Sequence, residues 1–174
     1  MALALAAINT AHAQVEEYAV KAAFLYKFGL FVEWPNSAFS SPASPVNLCI
    51  VGEDPFGKSL VTVVAGAQVN GHNVVIRRLQ KVGRNPSCHI LYVGGSGEQS
   101  RAQIIETVRG SNVLTVSDGR GSGSDSGIIN FVIADNRVRF DIDVEAAAQN
   151  GLVISSKLLS LALNVKRRDS NENR

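Results

Sequence analysis

Residues 46–65, VNLCIVGEDPFGKSLVTVVA, decide the fold. The first six residues form a short, nearly continuous apolar run, which is typical of a strand covered on both faces in a parallel sheet. Residues 56–65 predict the helix that follows it. A buried strand leading directly into a helix indicates the α/β class.

The same alternation continues towards the C-terminus. Further strands are predicted at residues 73–79, 89–93 and 113–116, with a helix at 99–109 closed by Gly110. Residues 128–134 and 137–143 flank Asp135-Asn136, a pair suited to a two-residue hairpin turn. A helical turn at 144–150 and a last helix at 155–165 complete the pattern. The predicted fold is α/β: a three-layer α/β/α sandwich with a mostly parallel mixed sheet ending in an antiparallel hairpin.

Towards the N-terminus, residues 14–34 predict a helix that ends before Pro35. One face carries Val15, Tyr18, Ala22, Leu25, Gly29 and Val32, and a second carries Val20, Phe24, Phe28 and Phe31. Such a helix has two apolar contacts to make. The second is either a partner protein or the rest of the fold, and the sequence favours neither.

Residues 1–13 are typical of the end of a secretory signal peptide, because an apolar run precedes Ala11-His12-Ala13. No basic residues precede the run, so an ordinary helix is the alternative. The expected organisation is a signal remnant at 1–13, one domain at 14–165 and a polar, disordered tail at 166–174.

Composition excludes several classes of protein. A formal charge of +2 over 174 residues is too small for a protein that tracks phosphates along a nucleic acid. No apolar run is long enough to cross a bilayer. The glycine- and serine-rich residues 119–127 predict a mobile loop.

Residues 52–59, GEDPFGKS, match the P-loop pattern between a predicted strand and helix. A P-loop surrounds phosphate oxygens with backbone N–H groups. Here Glu53 and Asp54 add negative charge, and Pro55 removes a donor. A turn in which Asp54 caps the following helix explains the same residues better.

The sequence shows no residue pattern typical of catalysis or metal binding. Asp118 and Asp135 each follow a predicted strand and could imitate a Walker B aspartate, but such residues are common in α/β domains. His12, His72 and His89 do not predict a metal site, and no catalytic carboxylate pair or nucleophile motif is present. We therefore expect no enzymatic activity, no cofactor and no metal.

The two cysteines, Cys49 and Cys88, are compatible with one structural disulfide in an exported chain. Two free thiols buried in strands are the alternative.

Five motifs in order along the chain together resemble the YfiR family of periplasmic proteins: VKAAF (20–24), FVEWP (31–35), GEDPFG (52–57), RVRFDI (137–142) and GLVISSKLL (151–159). The resemblance implies a periplasmic repressor that binds the sensor region of an inner-membrane diguanylate cyclase and so limits cyclic di-GMP and biofilm formation. It also implies an outer-membrane lipoprotein as a second partner, a possible homodimer, and a bridge between Cys49 and Cys88. A second cysteine pair found in some members would fall in residues 119–127, where this chain has none.

The candidate contact residues for a partner or a small ligand lie in two segments. The first contains Phe28, Phe31 and Trp34, and the second contains Asp141, Val144, Ala147, Val153 and Ser155. Packing of the hairpin against the last helix is the alternative explanation for the second segment. Two other functions compete with repression: a periplasmic small-molecule module that feeds a membrane sensor, and a P-loop nucleotide-binding protein.

Overall fold

The computed structural model describes residues 4–95, 97–119 and 123–167, with side chains from residue 11 onward. Parts of the predicted leader, the loop at 119–127 and the tail at 166–174 lie outside these ranges. Within them, no helix is long and apolar enough to span a membrane.

Alternating strands and helices run through the whole described chain. The helices are α1 Ala4–Lys27, α2 Lys58–Val64, α3 Arg101–Thr107, α4 Val144–Gln149 and α5 Ser156–Leu159. The strands are β1 Val32–Glu33, β2 Val46–Val51, β3 Gln68–Val69, β4 His72–Leu79, β5 Ile90–Val93, β6 Leu114–Asp118, β7 Ile129–Ala134, β8 Arg137–Asp143, β9 Val153–Ile154 and β10 Val165–Lys166.

Eight of these strands form one mixed sheet in the order β10-β8-β7-β6-β5-β2-β4-β3. The five central strands, from β7 to β4, are parallel. Alternate residues of β2 enter two separate cores: Leu48 and Ile50 pack with α1 and α2, whereas Cys49 and Val51 pack with α3. A sheet covered by helices on both faces confirms the predicted α/β sandwich.

The predicted hairpin is also confirmed. β7 and β8 pair antiparallel from Ile129 opposite Ile142 to Ala134 opposite Arg137. Asp135 and Asn136 have φ angles of 51° and 56°, which a type I′ turn requires at both central positions.

The first helix differs from the prediction at both ends. It begins at Ala4 and ends at Lys27, before a 3-10 turn over Phe28–Phe31. Val32 and Glu33 then pair with β9 in a separate two-stranded sheet. Because this pairing requires an extended backbone, the helix ends before these residues. The expected cleavage point after residue 13 lies inside this helix, and the signal peptide stays a prediction.

The predicted last helix, residues 155–165, is wrong beyond its first turn. α5 ends at Leu159, and β10 adds a parallel strand to β8. Asn164 bonds through its backbone N–H and its side-chain amide to the Asp141 carboxylate, at 3.0 and 2.8 Å. The Leu163 N–H donates to the Phe140 carbonyl. These bonds replace the i to i−4 bonds that a longer helix would have made.

Candidate functional site

Cys49 and Cys88 form a disulfide, with 5.9 Å between their Cα atoms. The bond joins the middle of β2 to the residue two positions before β5, on the side of the sheet that α3 covers. The pairing implied by the family resemblance is therefore confirmed. The alternative of two free thiols is wrong.

The P-loop-like segment is a carboxylate-capped turn. Asp54 Oδ1 accepts hydrogen bonds from the N–H groups of Phe56 and Gly57, at 2.9 and 3.3 Å. Its other oxygen accepts from Arg78 Nε at 2.8 Å. The N–H groups that would face a phosphate are thus already bonded to a carboxylate. Lys58 is exposed. The predicted turn is present, but the predicted helix cap is wrong: α2 begins at Lys58, its N-cap is Gly57, and no side chain caps it.

The two predicted contact segments meet in the structure. β1 pairs antiparallel with β9, placing Val32 opposite Ile154 and Glu33 opposite Val153. The Ser155 N–H extends this pairing by donating to the Phe31 carbonyl at 2.8 Å. We call the surface formed here the β1–β9 patch: Leu30, Phe31, Trp34, Val153 and Ser155.

The β1–β9 patch is apolar and accessible. Val153 is 60% exposed and Leu30 is 43% exposed, while Phe31 and Trp34 are half-buried against the core. Trp34 Nε1 is buried and has no acceptor within the described part of the chain. The Ser155 hydroxyl accepts from the Lys157 N–H and so begins α5.

Two predicted contact residues are wrong as surface positions. Phe28 and Ala147 are each 1% exposed. The Phe28 ring packs between those of Phe131 and Phe140, at centroid distances of 5.6 and 5.1 Å. Both residues therefore stabilise the core and are not available to a partner.

Asp141 and Val144 are half-buried and have structural contacts. Asp141 accepts the two bonds from Asn164 described above, and Val144 packs against the main core. These contacts favour the packing explanation for this part of the second segment.

A separate cleft of about 620 Å³ opens at the carboxyl ends of the parallel strands. After β2 the chain adds β4 on one side, then returns to add β5 on the other, so the cleft lies at the point where the strand order reverses. Open α/β sheets bind ligands at such points. Its principal side chains are Tyr18, Glu53, Phe56, Tyr92, Arg101 and Asp118. Gly94 is required here, because a Cβ atom would lie 2.4 Å from the Glu53 carbonyl oxygen.

Next to this cleft, α1 buries a charged side chain. Lys21 is 1% exposed. Its ammonium donates to both Asp118 oxygens, at 2.8 and 2.7 Å, and to Glu17 one turn earlier on α1. The ammonium also lies 4.8 Å from the centre of the Tyr18 ring. This group joins the first helix to the end of β6.

Electrostatics at this cluster favour a protonated lysine and neutral tyrosines. Burial alone lowers the pKa of Lys21, but its bonds to Asp118 and Glu17 outweigh burial, so the pKa is raised. Burial and the Asp118 charge raise the pKa of both Tyr18 and Tyr92. Lys21 therefore carries its charge between two carboxylates, and the two tyrosines stay neutral. This arrangement holds α1 against the end of β6.

Lys21 was not among the predicted site residues, although the sequence carries a signal for it. Position 21 is three residues after Tyr18 and four before Leu25, so it lies within the apolar stripe of α1. A lysine at such a position either extends its aliphatic stem until the ammonium reaches solvent, or pairs its ammonium with a buried carboxylate. Glu17 at position i−4 indicates the second outcome.

No group of three or more potential metal ligands occurs among the residues that the structure describes. The expectation of no metal stays a prediction.

A family model described as YfiR/HmsC-like matches residues 18–163. The matched range begins within α1 and ends two residues before β10. The matched range contains the disulfide, the β1–β9 patch and most of the cleft.

Proposed function

Because the chain belongs to the YfiR/HmsC-like family, we propose that it binds the periplasmic sensor region of an inner-membrane diguanylate cyclase and holds that enzyme inactive. The family match over residues 18–163 carries this proposal. The family is periplasmic and regulatory rather than catalytic. In this proposal an outer-membrane lipoprotein relieves the repression by sequestering the protein, which acts as a homodimer.

Two structural features support the proposal. The Cys49–Cys88 disulfide suits an oxidising compartment such as the periplasm. The GEDPFGKS segment uses its own carboxylate to satisfy the N–H groups that a nucleotide would need. A protein of this kind acts through its surface.

The β1–β9 patch is the best contact surface for the cyclase. It combines an aromatic residue, Trp34, with exposed aliphatic side chains, Leu30 and Val153. A few central residues, most often Trp, Tyr or Arg, supply most of the binding free energy of an interface, and the apolar residues around them exclude water. Because β1 and β9 are held by backbone pairing, the patch is formed before a partner arrives.

The test replaces Val153 with Asp and measures affinity for the purified sensor region of the cyclase. Placing a charge in an apolar interface should weaken binding at least tenfold, or about 1.4 kcal/mol. Ile133→Asp is the matched control, because Ile133 is a 50% exposed aliphatic residue on β7, outside the patch. Cyclic di-GMP in cells should rise with Val153→Asp and not with Ile133→Asp.

The possible outcomes separate the surface from the function. If Val153→Asp binds as wild type does, the patch is not the interface. If the wild-type protein does not bind the sensor region at all, the proposed function is wrong.

A small-molecule module feeding a membrane sensor is the second candidate, because the cleft lies where α/β sheets bind ligands. A ligand that binds only the native state raises its unfolding temperature. Screening periplasmic metabolites by thermal shift tests this candidate, with ATP and magnesium included as the nucleotide arm.

A further inference from the structure

The outer edge of β4 is open over most of its length. β2 pairs with β4 along Val74–Leu79 on the inner side. On the outer side, β3 covers only His72 and Asn73. In the part of the chain that the structure describes, no strand lies beside residues 75–79 on that side.

The exposed backbone groups can be identified from the pairing. The Val74 N–H points outward, because it donates to the Ala67 carbonyl at 3.1 Å. Backbone direction alternates along a strand, so the N–H and C=O groups of Ile76 and Arg78 also point outward. These four groups form a template for another strand.

Native proteins usually protect such an edge with charged side chains that extend over it. Here both arginines reach back over the sheet. Arg78 bonds to Asp54, which follows β2, and Arg77 Nη1 lies 3.4 Å from the carbonyl of Ser87, which precedes β5. The edge itself is therefore left uncovered by these side chains.

The sequence along and after this edge is basic, and the carboxylates of Asp54 and Glu98 lie near the carboxyl end of β4. Residues 77–84, RRLQKVGR, contain four basic residues and no acidic one. Lys81 and Arg84 are exposed, and only Arg78 has a carboxylate partner within the described residues. A second copy of this chain pairing edge to edge would bring like charges together, which disfavours self-association. An acidic strand would be attracted.

We propose that the outer edge of β4 binds an extended acidic segment of a partner protein by strand addition. About five residues would pair with residues 75–79. Side chains on one face of the added strand would pack near Val75, which is 43% exposed. Those on the other face would pack near Val61, a 51% exposed residue on α2, the helix that covers β4. This surface is separate from the β1–β9 patch and goes beyond the proposed function.

The experiment titrates the ¹⁵N-labelled full chain with a hexapeptide that alternates Glu and Val. The amide signals of Ile76 and Arg78 should shift most, because their N–H groups would donate to the peptide. Arg77→Glu should weaken binding at least tenfold, and the milder Arg77→Gln should weaken it less. Arg137→Glu, an exposed arginine on β8 near the opposite end of the sheet, should bind as wild type does.

A second peptide, N-methylated at every residue, separates strand addition from simple charge attraction. It keeps the acidic side chains but cannot complete the backbone ladder, so it should not bind. Equal binding of both peptides would overturn the proposal, as would equal loss in Arg77→Glu and Arg137→Glu. Vesicles of anionic lipid provide the last arm. Arg77-dependent binding to them, without peptide binding, would identify a membrane surface and overturn the proposal.

Discussion

Replacing Lys21 with Met should destabilise the protein strongly, although the substitution nearly preserves volume. Met occupies the space of the lysine stem but leaves the Asp118 carboxylate, whose side chain is 15% exposed, without its ammonium. Removing one partner of a buried ion pair costs about 3–5 kcal/mol. Because the Asp118 side chain is partly exposed at the cleft, we expect the lower end, about 3 kcal/mol. For a domain of this size that corresponds to about 6–12 °C in melting temperature.

Thermal unfolding followed by circular dichroism measures the effect. Lys27→Met is the matched control, an exposed lysine on the same helix whose replacement should change stability by less than about 0.5 kcal/mol. Adding Asp118→Asn to Lys21→Met should recover part of the loss, because the neutral amide leaves no uncompensated charge. If Lys21→Met melts at the wild-type temperature, the pair does not stabilise the fold and the reasoning is refuted.

Two further predictions concern the disulfide and a buried histidine. Replacing both Cys49 and Cys88 with Ala should lower the free energy of unfolding by about 4 kcal/mol, since the bridge closes a loop with a sequence separation of 39. Urea titration measures this free energy. A reducing agent should lower the stability of the wild type and leave that of the double variant unchanged. Burial lowers the pKa of His89 below its usual 6.5, and in the neutral ring Nδ1 accepts from the Asn47 N–H while Nε2–H donates to the Ala38 carbonyl. The unfolded chain therefore takes up a proton that the folded chain does not, and stability should fall as pH drops through about 6.5. His89→Gln should flatten this dependence of stability on pH. An unchanged slope in the variant would contradict the assignment.

The central sheet was predictable because its strands carry local signals. The apolar runs at 46–51 and 90–93 and the Asp135-Asn136 turn each determine structure within a few residues. Strands β1, β3, β9 and β10 have two residues each, too short to show a periodicity. β1, β9 and β10 form because tertiary contacts bring their partners together, whereas β3 pairs with β4 through the local Asn70-Gly71 turn, a signal that the prediction did not use. The last helix was overpredicted for the same reason, since Asp141 lies 23 residues from the Asn164 that it holds.

The candidate site was predicted in part. The motifs located both segments of the β1–β9 patch, and the structure joins them through a backbone pairing that no sequence pattern indicates. Phe28 and Ala147 were assigned wrongly because an apolar residue on a helix has the same sequence pattern whether it packs against a partner or against the rest of the fold. Predicting that Lys21 is buried would have required knowing that β6 ends beside α1.

The second apolar face of α1 raised the choice between a partner and the fold, and the aromatic contacts decide it for Phe24 and Phe28. Phe24 stacks on Phe28 at 6.0 Å and lies edge-on to Phe140 at 5.8 Å, so β8 covers this part of the face. Lys21 fixes the other side of the helix to β6. Phe24, Phe28 and Lys21 are therefore held by the sheet, whereas Val15 and Val20 of α1 are exposed. The proposed contact surface lies beyond the end of the helix, where β1 meets β9. Since that pairing exists without a partner, binding there requires little reorganisation of the backbone.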